Sequence, residues 1–190
     1  DHEKLTKMGA GCLLAVGAES IKNQRKEYNP RLVALEYTGA NYLKAKPRQR
    51  EHVVLVGKGI TYDTGGLCLK PTKYMLDMKS DMAGSAVVLS TFKAISNIAS
   101  RLNPNIKVTG IMALAENAFG ASSYKPGDVL KAINGKTVQV VDTDAEGRLA
   151  LADALSYASD LKDPPTKIID LATLTGSIVS TLGAVAAGAM

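Results

Sequence analysis

The spacing of apolar residues changes several times along the chain, and each change marks an element. "HVVLVGKGI" (52–60) and "IKVTGIMALAE" (106–116) are short, nearly continuous apolar runs, the pattern of strands buried on both faces in a parallel sheet. "LLAVGAES" (13–20) and "RLVALEYT" (31–38) also read as strands, around a polar loop, and the residues before the "GAG" break at 9–11 read as a helix. "MAGSAVVLSTFKAISNIA" (82–99) carries the apolar stripe of a helix. "VLKAINGKTVQVV" (129–141) reads as a hairpin with Asn134–Gly135 as its two-residue turn. A helix then runs to residue 158, followed by the strand "KIIDLATL" (167–174) and the start of a last helix. "NYLKAKPRQRE" is a linker, while "TYDTGGLCLKPTKYMLDMKSD" (61–81) has no period and is punctuated by Gly and Pro, as in a long ordered loop. Strands alternating with helices predict an α/β fold: a mainly parallel sheet flanked by helices, with an antiparallel edge hairpin.

Composition narrows the picture. Of 190 residues, 46% are hydrophobic and 22% charged, which argues against disorder for the bulk of the chain and fits one domain or two small ones. Aromatics are sparse and Trp is absent, so stacking modules for nucleic acid gain no support. The net charge of +5 comes partly from clusters such as "KAKPRQR" (44–50), which read as a solvated loop rather than a nucleic-acid site. Two distant cysteines, Cys12 and Cys68, fit a reducing, cytoplasmic setting. Residues 171–190 are uncharged and reach the length of a membrane span. Their Gly, Ala, Ser and Thr content, and their continuity with a strand, favour a buried strand entering a buried helix instead of a membrane. The chain opens without an initiator Met and stops at Met190 within an apolar segment, which reads as a piece of a longer chain.

Ligands in such sheets bind beyond the carboxyl ends of the strands. Lys58 and Asp63 leave one such end, Asp81 precedes a helix, and Asp144 and Glu146 follow the hairpin. In "VVDTDAEGRLALADALSYA" (140–158), Asp142, Asp144, Glu146 and Arg148 occupy every second position, so an extended backbone projects them to one side. Two readings stand at this point: an acidic helix N-terminus, or a cation held among the carboxylates. Convergence would supply four acidic ligands and one amine, enough for two divalent ions. With only His2 and His52, a helical histidine-pair zinc site is excluded, while oxygen donors suit Mn²⁺ or Mg²⁺ and permit Zn²⁺. Lys58 reads first as a counter-ion, since a lysine ligates only when deprotonated. Lys70 is either an exposed lysine or a cation facing a developing oxyanion.

"VGKGITYDTGG", "MKSDMAGSA", "DTDAEGRLALADAL" and "DLATLTG", in order between residues 56 and 176, strongly resemble successive motifs of the leucyl aminopeptidases, the cytosol aminopeptidase family, and "ENAFGASSYKPGDVL" (116–130) is similar to the family's intervening segment. The resemblance implies a two-metal exopeptidase that removes leucine-like N-terminal residues from peptides. It implies one metal on Lys58, Asp63, Asp81 and Glu146, and another on Asp63, Asp144 (also through its carbonyl) and Glu146, with Mn²⁺ or Zn²⁺ as the ions. It implies Lys70 and Arg148 as catalytic positions, Lys70 on the scissile carbonyl and Arg148 holding a bicarbonate-like anion. Met78, Thr173, Leu174, Thr175 and Gly176 would wall the pocket for the first side chain, and the family implies a homo-oligomer, a hexamer. By the same resemblance residues 1–190 are a catalytic domain incomplete at its C-terminus, without the separate N-terminal domain most members carry. The chain departs from the family at Asp142, where Asn is usual, and in a minor way at Ala83 and Ser85. Two other readings remain beside it: a two-metal phosphoester hydrolase, which would need a phosphate cradle of backbone amides or clustered arginines near the site, and a non-catalytic module.

Overall fold

The computed structural model describes residues 1–190. Its main sheet has four strands, β1 (Arg31–Thr38), β2 (Glu51–Asp63), β3 (Ile106–Asn117) and β6 (Lys167–Leu171), in the order β1-β3-β2-β6. The two central strands are parallel, β6 is parallel to β2, and β1 pairs antiparallel with β3. The mainly parallel α/β layer expected from the apolar runs is present. The hairpin also forms, between β4 (Val129–Lys131) and β5 (Thr137–Gln139), but as a separate two-stranded sheet, and the antiparallel edge of the main sheet is β1.

Alternation along β2 sorts its side chains onto two faces. Val54, Val56 and Ile60 pack with Ile111, Ala113 and Ala115 of β3 beneath α6 (Glu146–Ser159) and α2 (Gly11–Val16), in one core that includes Leu13, Leu149, Ala150 and Ala154. On the other face, α5 (Ala83–Ile98) lies close to β2, where the Ser85 hydroxyl donates to the Gly57 carbonyl at 2.9 Å. The run Thr72–Arg101 is long and apolar enough to cross a membrane by length and composition, yet in the fold Gly84, Ser85, Val88 and Ile95 bury one side of α5 in the molecule.

Three local expectations change. "LLAVGAES" is helical, divided between α2 and α3 (Ala18–Lys22), because its apolar residues Leu13 and Val16 pack at helical spacing with Cys12 in the core. The 61–81 segment begins as strand, with β2 continuing through a register shift to Asp63, and later holds a short helix α4 (Thr72–Met75). The apolar C-terminal segment is not buried: β6 is an edge strand, Ile169 is 48% exposed, and α7 (Ser177–Leu182) ends at Gly183 with no buried residue. A strand with one neighbour has one side of its ladder covered, and nothing packs over the outer surface of these residues.

Candidate active site

The carboxyl ends of β2 and β3 and the N-terminus of α6 meet at a buried charged cluster. Lys58 continues the stripe of Val54, Val56 and Ile60 on β2, so its stem runs through apolar core before its amine reaches polar partners. Gly147 makes room for it: a Cβ there would lie 2.6 Å from Lys58 Cε and 2.8 Å from its Nζ. The ammonium donates to Asp81 Oδ1 at 2.8 Å and to the Thr173 carbonyl at 2.8 Å, and pairs with Glu146 Oε1 at 3.0 Å. The Thr173 hydroxyl donates to Asp81 Oδ1 as well, at 2.9 Å.

Asp63 ends β2, and the chain then turns at Gly65 (φ 85°) and Gly66 (φ 64°), a left-handed pair that a side chain would strain. The turn brings Lys70 back, with its backbone N–H on the Thr64 carbonyl at 2.9 Å, so that its ammonium pairs with Asp63 Oδ2 at 3.0 Å and Asp144 Oδ1 at 2.5 Å. Asp142 closes a small turn of its own, its Oδ1 accepting from the Asp144 N–H at 2.8 Å.

Asp63, Asp81 and Glu146 offer oxygens that lie within 4.8 Å of one another, all three residues buried. Including Asp144, four carboxylates meet only the two ammonium groups of Lys58 and Lys70. The excess of negative charge appears in their protonation. Burial and the neighbouring Asp63 charge push Glu146 up to about 7, against the pull of Lys58. Burial also raises Asp81, opposed by Lys58, and raises Asp144, opposed by Lys70. For Lys70 the hydrogen bonds to Asp144 and Asp63 outweigh burial and raise its pKa. Asp81 Oδ2 and Glu146 Oε2 are buried with no hydrogen-bond partner. Buried carboxylate oxygens without a partner are costly, and with three carboxylates this close together the donor set fits a divalent ion.

Of the residues picked out in the sequence, Lys58, Asp63, Asp81, Glu146, Lys70, Asp144 and Thr173 therefore meet in one place. The others stand further out. Arg148 is exposed and lines a groove of about 370 Å³ with Asp142 and Ala145. Met78 is half-buried, Leu174 is 41% exposed, the Thr175 hydroxyl turns to Ser177, and Gly176 has open space around it. Three residues that sequence reasoning missed hold the cluster from behind. Asn117 donates from Nδ2 to Asp63 Oδ1 at 2.8 Å and to the Thr143 carbonyl at 3.0 Å, and the Tyr124 hydroxyl donates to that same carbonyl at 2.7 Å. Asn117 is the last residue of β3, so the strand-end rule that flagged Asp63 points to it too. Thr143 alternates with Asp142 and Asp144, which turns it inward.

Comparison with known proteins matches all of residues 1–190 to the model of the cytosol aminopeptidase family, catalytic domain. The chain is 43% identical to a probable cytosol aminopeptidase of Azotobacter vinelandii, covering all of this chain and 35% of the relative. It is 46% identical to one from Persephonella marina, covering all of this chain and 34% of that protein. Among solved structures, leucyl aminopeptidase from Leishmania major in complex with actinonin superposes with a TM-score of 0.84 at 38% identity, over 95% of this chain and 33% of the other. The chain thus spans about a third of the length of these relatives.

Proposed function

The chain belongs to the cytosol aminopeptidase family, and on that premise we propose that it carries the catalytic centre of a metal-dependent aminopeptidase acting on leucine-like N-terminal residues of peptides. The buried trio Asp63, Asp81 and Glu146, with its unpartnered oxygens, is the observation that carries this reading. Lys58, Asp63, Asp81 and Glu146 would hold one divalent ion, Mn²⁺ or Zn²⁺, and Asp63, Asp144 and Glu146 a second, so that Asp63 and Glu146 serve both. When bound, such ions lower the pKa of a water and act as Lewis acids toward a carbonyl.

The chain's own groups do the rest. In the ligand role Lys58 would lose a proton, which leaves the site for solvent as the cation takes its place among the carboxylates. Lys70 then has fewer free carboxylate partners and turns its ammonium to the carbonyl oxygen of the scissile bond, where charge develops only in the transition state. Arg148, exposed at the first turn of α6, would hold a bicarbonate-like anion able to carry a proton. Met78 and Thr173 to Gly176 form the wall against which the first side chain rests. A cytoplasmic location and a homo-oligomer, a hexamer as in the family, complete the proposal.

Hydrolysis of a leucine chromogenic amide with and without added Mn²⁺, beside a phosphate-ester control, tests it. Metal-dependent release from the amide alone is expected. Turnover of the ester without the amide would replace the reading by phosphoester hydrolysis, and turnover of neither would leave a non-catalytic module.

A further inference from the structure

Behind the charged cluster one fully buried threonine ties together the two chain segments that carry it. Thr143 Oγ1 donates to the Gly65 carbonyl at 2.6 Å and accepts from the Cys68 N–H at 2.8 Å. It therefore clamps both sides of the tight turn between Asp63 and Lys70. The Thr143 carbonyl accepts from Asn117 Nδ2 and from the Tyr124 hydroxyl, and the other Asn117 N–H goes to Asp63 Oδ1. Thr143 is bonded covalently to Asp144, whose carboxylate shares Lys70 with Asp63. Every hydrogen-bonding group of the Thr143 side chain and carbonyl is thus spent on fixing Asp63 and Lys70 relative to Asp144. Lys58 and Asp81 have no partner in this network; they are held instead by Thr173 and the space left by Gly147.

We propose that Thr143 is a positioning residue that, through Asn117 and the Gly65–Cys68 turn, sets the spacing of Asp63 and Asp144, and so governs the affinity of the metal position that Asp144 serves more strongly than that of the other, which it reaches only through the shared Asp63. The inference rests on the two-ion reading above. Groups that orient metal ligands from behind commonly change affinity about ten- to hundredfold when removed. Thr143→Val keeps the shape of the side chain but strands the Gly65 carbonyl and the Cys68 N–H. Thr143→Ser keeps the hydroxyl.

Titration of the full chain with Mn²⁺, followed by calorimetry, reads each binding step separately. Wild type is expected to take up two ions. Thr143→Val should lose about ten- to hundredfold in one step and clearly less in the other, and Thr143→Ser should restore the weakened step. Tyr124→Phe removes one donor from the Thr143 carbonyl and should weaken the same step by a smaller factor, which keeps the test available if Thr143→Val does not fold. Equal weakening of both steps, no change in either, or failure of Ser to rescue would overturn the proposal. So would an unfolded Thr143→Val accompanied by a Tyr124→Phe that binds like wild type. Uptake of fewer than two ions by wild type would break the two-ion reading itself. In that case exchange of the Cys68 amide decides whether the clamp exists: faster exchange in Thr143→Val, restored in Thr143→Ser, supports it, and unchanged exchange overturns it.

Discussion

His52 and Lys58 lie on the same strand and the same face, six residues apart, yet the polar clusters around them behave in opposite ways. At the amino end of β2, His52 Nδ1 donates to the Asp163 carbonyl at 2.9 Å and Nε2 accepts from the Thr109 hydroxyl at 2.9 Å. Tyr42 donates to Asp163 Oδ2, and Lys107 joins Asp163 to Glu36. Both ring nitrogens of His52 are satisfied, and the hydrogen bonds and charges around Asp163 overcome its partial burial and hold its carboxyl below the usual range. At the carboxyl end carboxylates outnumber their cations, oxygens are orphaned, and every resolved carboxylate shift is upward. One end of the strand is a completed network that costs nothing to leave alone. The other is built as though a further cation belonged to it. The difference shows how a buried polar cluster with a structural role is told from one with a chemical role: by what is left unpaired.

The largest expected effect comes from breaking the unpaired end. Asp63→Ala or Glu146→Ala should each abolish one of two Mn²⁺ equivalents, because each serves both positions, and His52→Ala should leave both. Equilibrium dialysis with metal analysis reads the stoichiometry, and two intact sites in Glu146→Ala would refute its shared role. Lys70→Ala should keep both ions and lose about 10²–10³ in turnover, the scale of one lost oxyanion donor.

Breaking the completed end should move stability instead. His52→Ala opens a cavity and strands the Asp163 carbonyl and the Thr109 hydroxyl, at a cost of about 2–4 kcal/mol. Urea denaturation measures it. A cost below about 0.5 kcal/mol would mean that the network at this end is not a structural tie.

A smaller effect, a few degrees in Tm, separates the ends by pH. Without metal, the Glu146 carboxyl sits up to about 7 in the fold, against about 4.3 in an unfolded chain. Between those values the folded state keeps a proton that the unfolded state releases, so stability falls as pH rises through that window. Asp81 and Asp144, also raised, act in the same sense. Calorimetry in EDTA should therefore show a lower Tm at pH 7.5 than at pH 5. Mn²⁺ should reverse the loss by binding only the folded chain, and Glu146→Gln should flatten the slope. A Tm that rises across this range in EDTA would contradict the excess-carboxylate account.

The sequence made the carboxyl end far more legible than the amino end, for physical reasons. Acids at alternate positions and a lysine inside an apolar strand break local patterns, and such breaks are visible in one dimension. Asp144 and Glu146 stand out that way, Asp63 and Asp81 by their places at a strand end and before a helix, and the family resemblance is what suggests the roles of Lys58 and Lys70. Asn117, Thr143 and Tyr124 break no pattern, because a strand end, a threonine between acids and a tyrosine in a loop are ordinary in sequence and acquire meaning only from partners 19 to 78 positions away. Asp153 was missed for the same reason. It is fully buried in α6, and its two oxygens accept from the Leu13 and Ile133 N–H groups, tying α2 and the β4–β5 hairpin to that helix. In the fold, central strands were readable because burial on both faces makes them continuously apolar. "LLAVGAES" was not, since eight residues of mixed apolar and small side chains satisfy strand and helix alike until α6 and the sheet offer a surface to pack on.

The smallest effect lies at the edge of the completed network. The Asp163 side chain is 38% exposed, so solvent screens its pair with Lys107 and the charge contributes under about 1 kcal/mol. Its direction is nonetheless fixed. A carboxyl held below its unfolded value stabilises the fold above about pH 3.9, and that contribution is lost as pH falls through the folded value. Asp163→Asn removes the charge and keeps the shape. It should be slightly less stable than wild type at pH 7, with the difference shrinking as pH falls below about 3.9, the reverse of the slope that Glu146→Gln removes at the other end of β2. Acid titration of the two proteins by far-UV circular dichroism in EDTA reads the difference. Should Asp163→Asn match or exceed wild type at pH 7, the amino end would share the unpaired character of the carboxyl end, and the contrast between the two ends of the strand would fail.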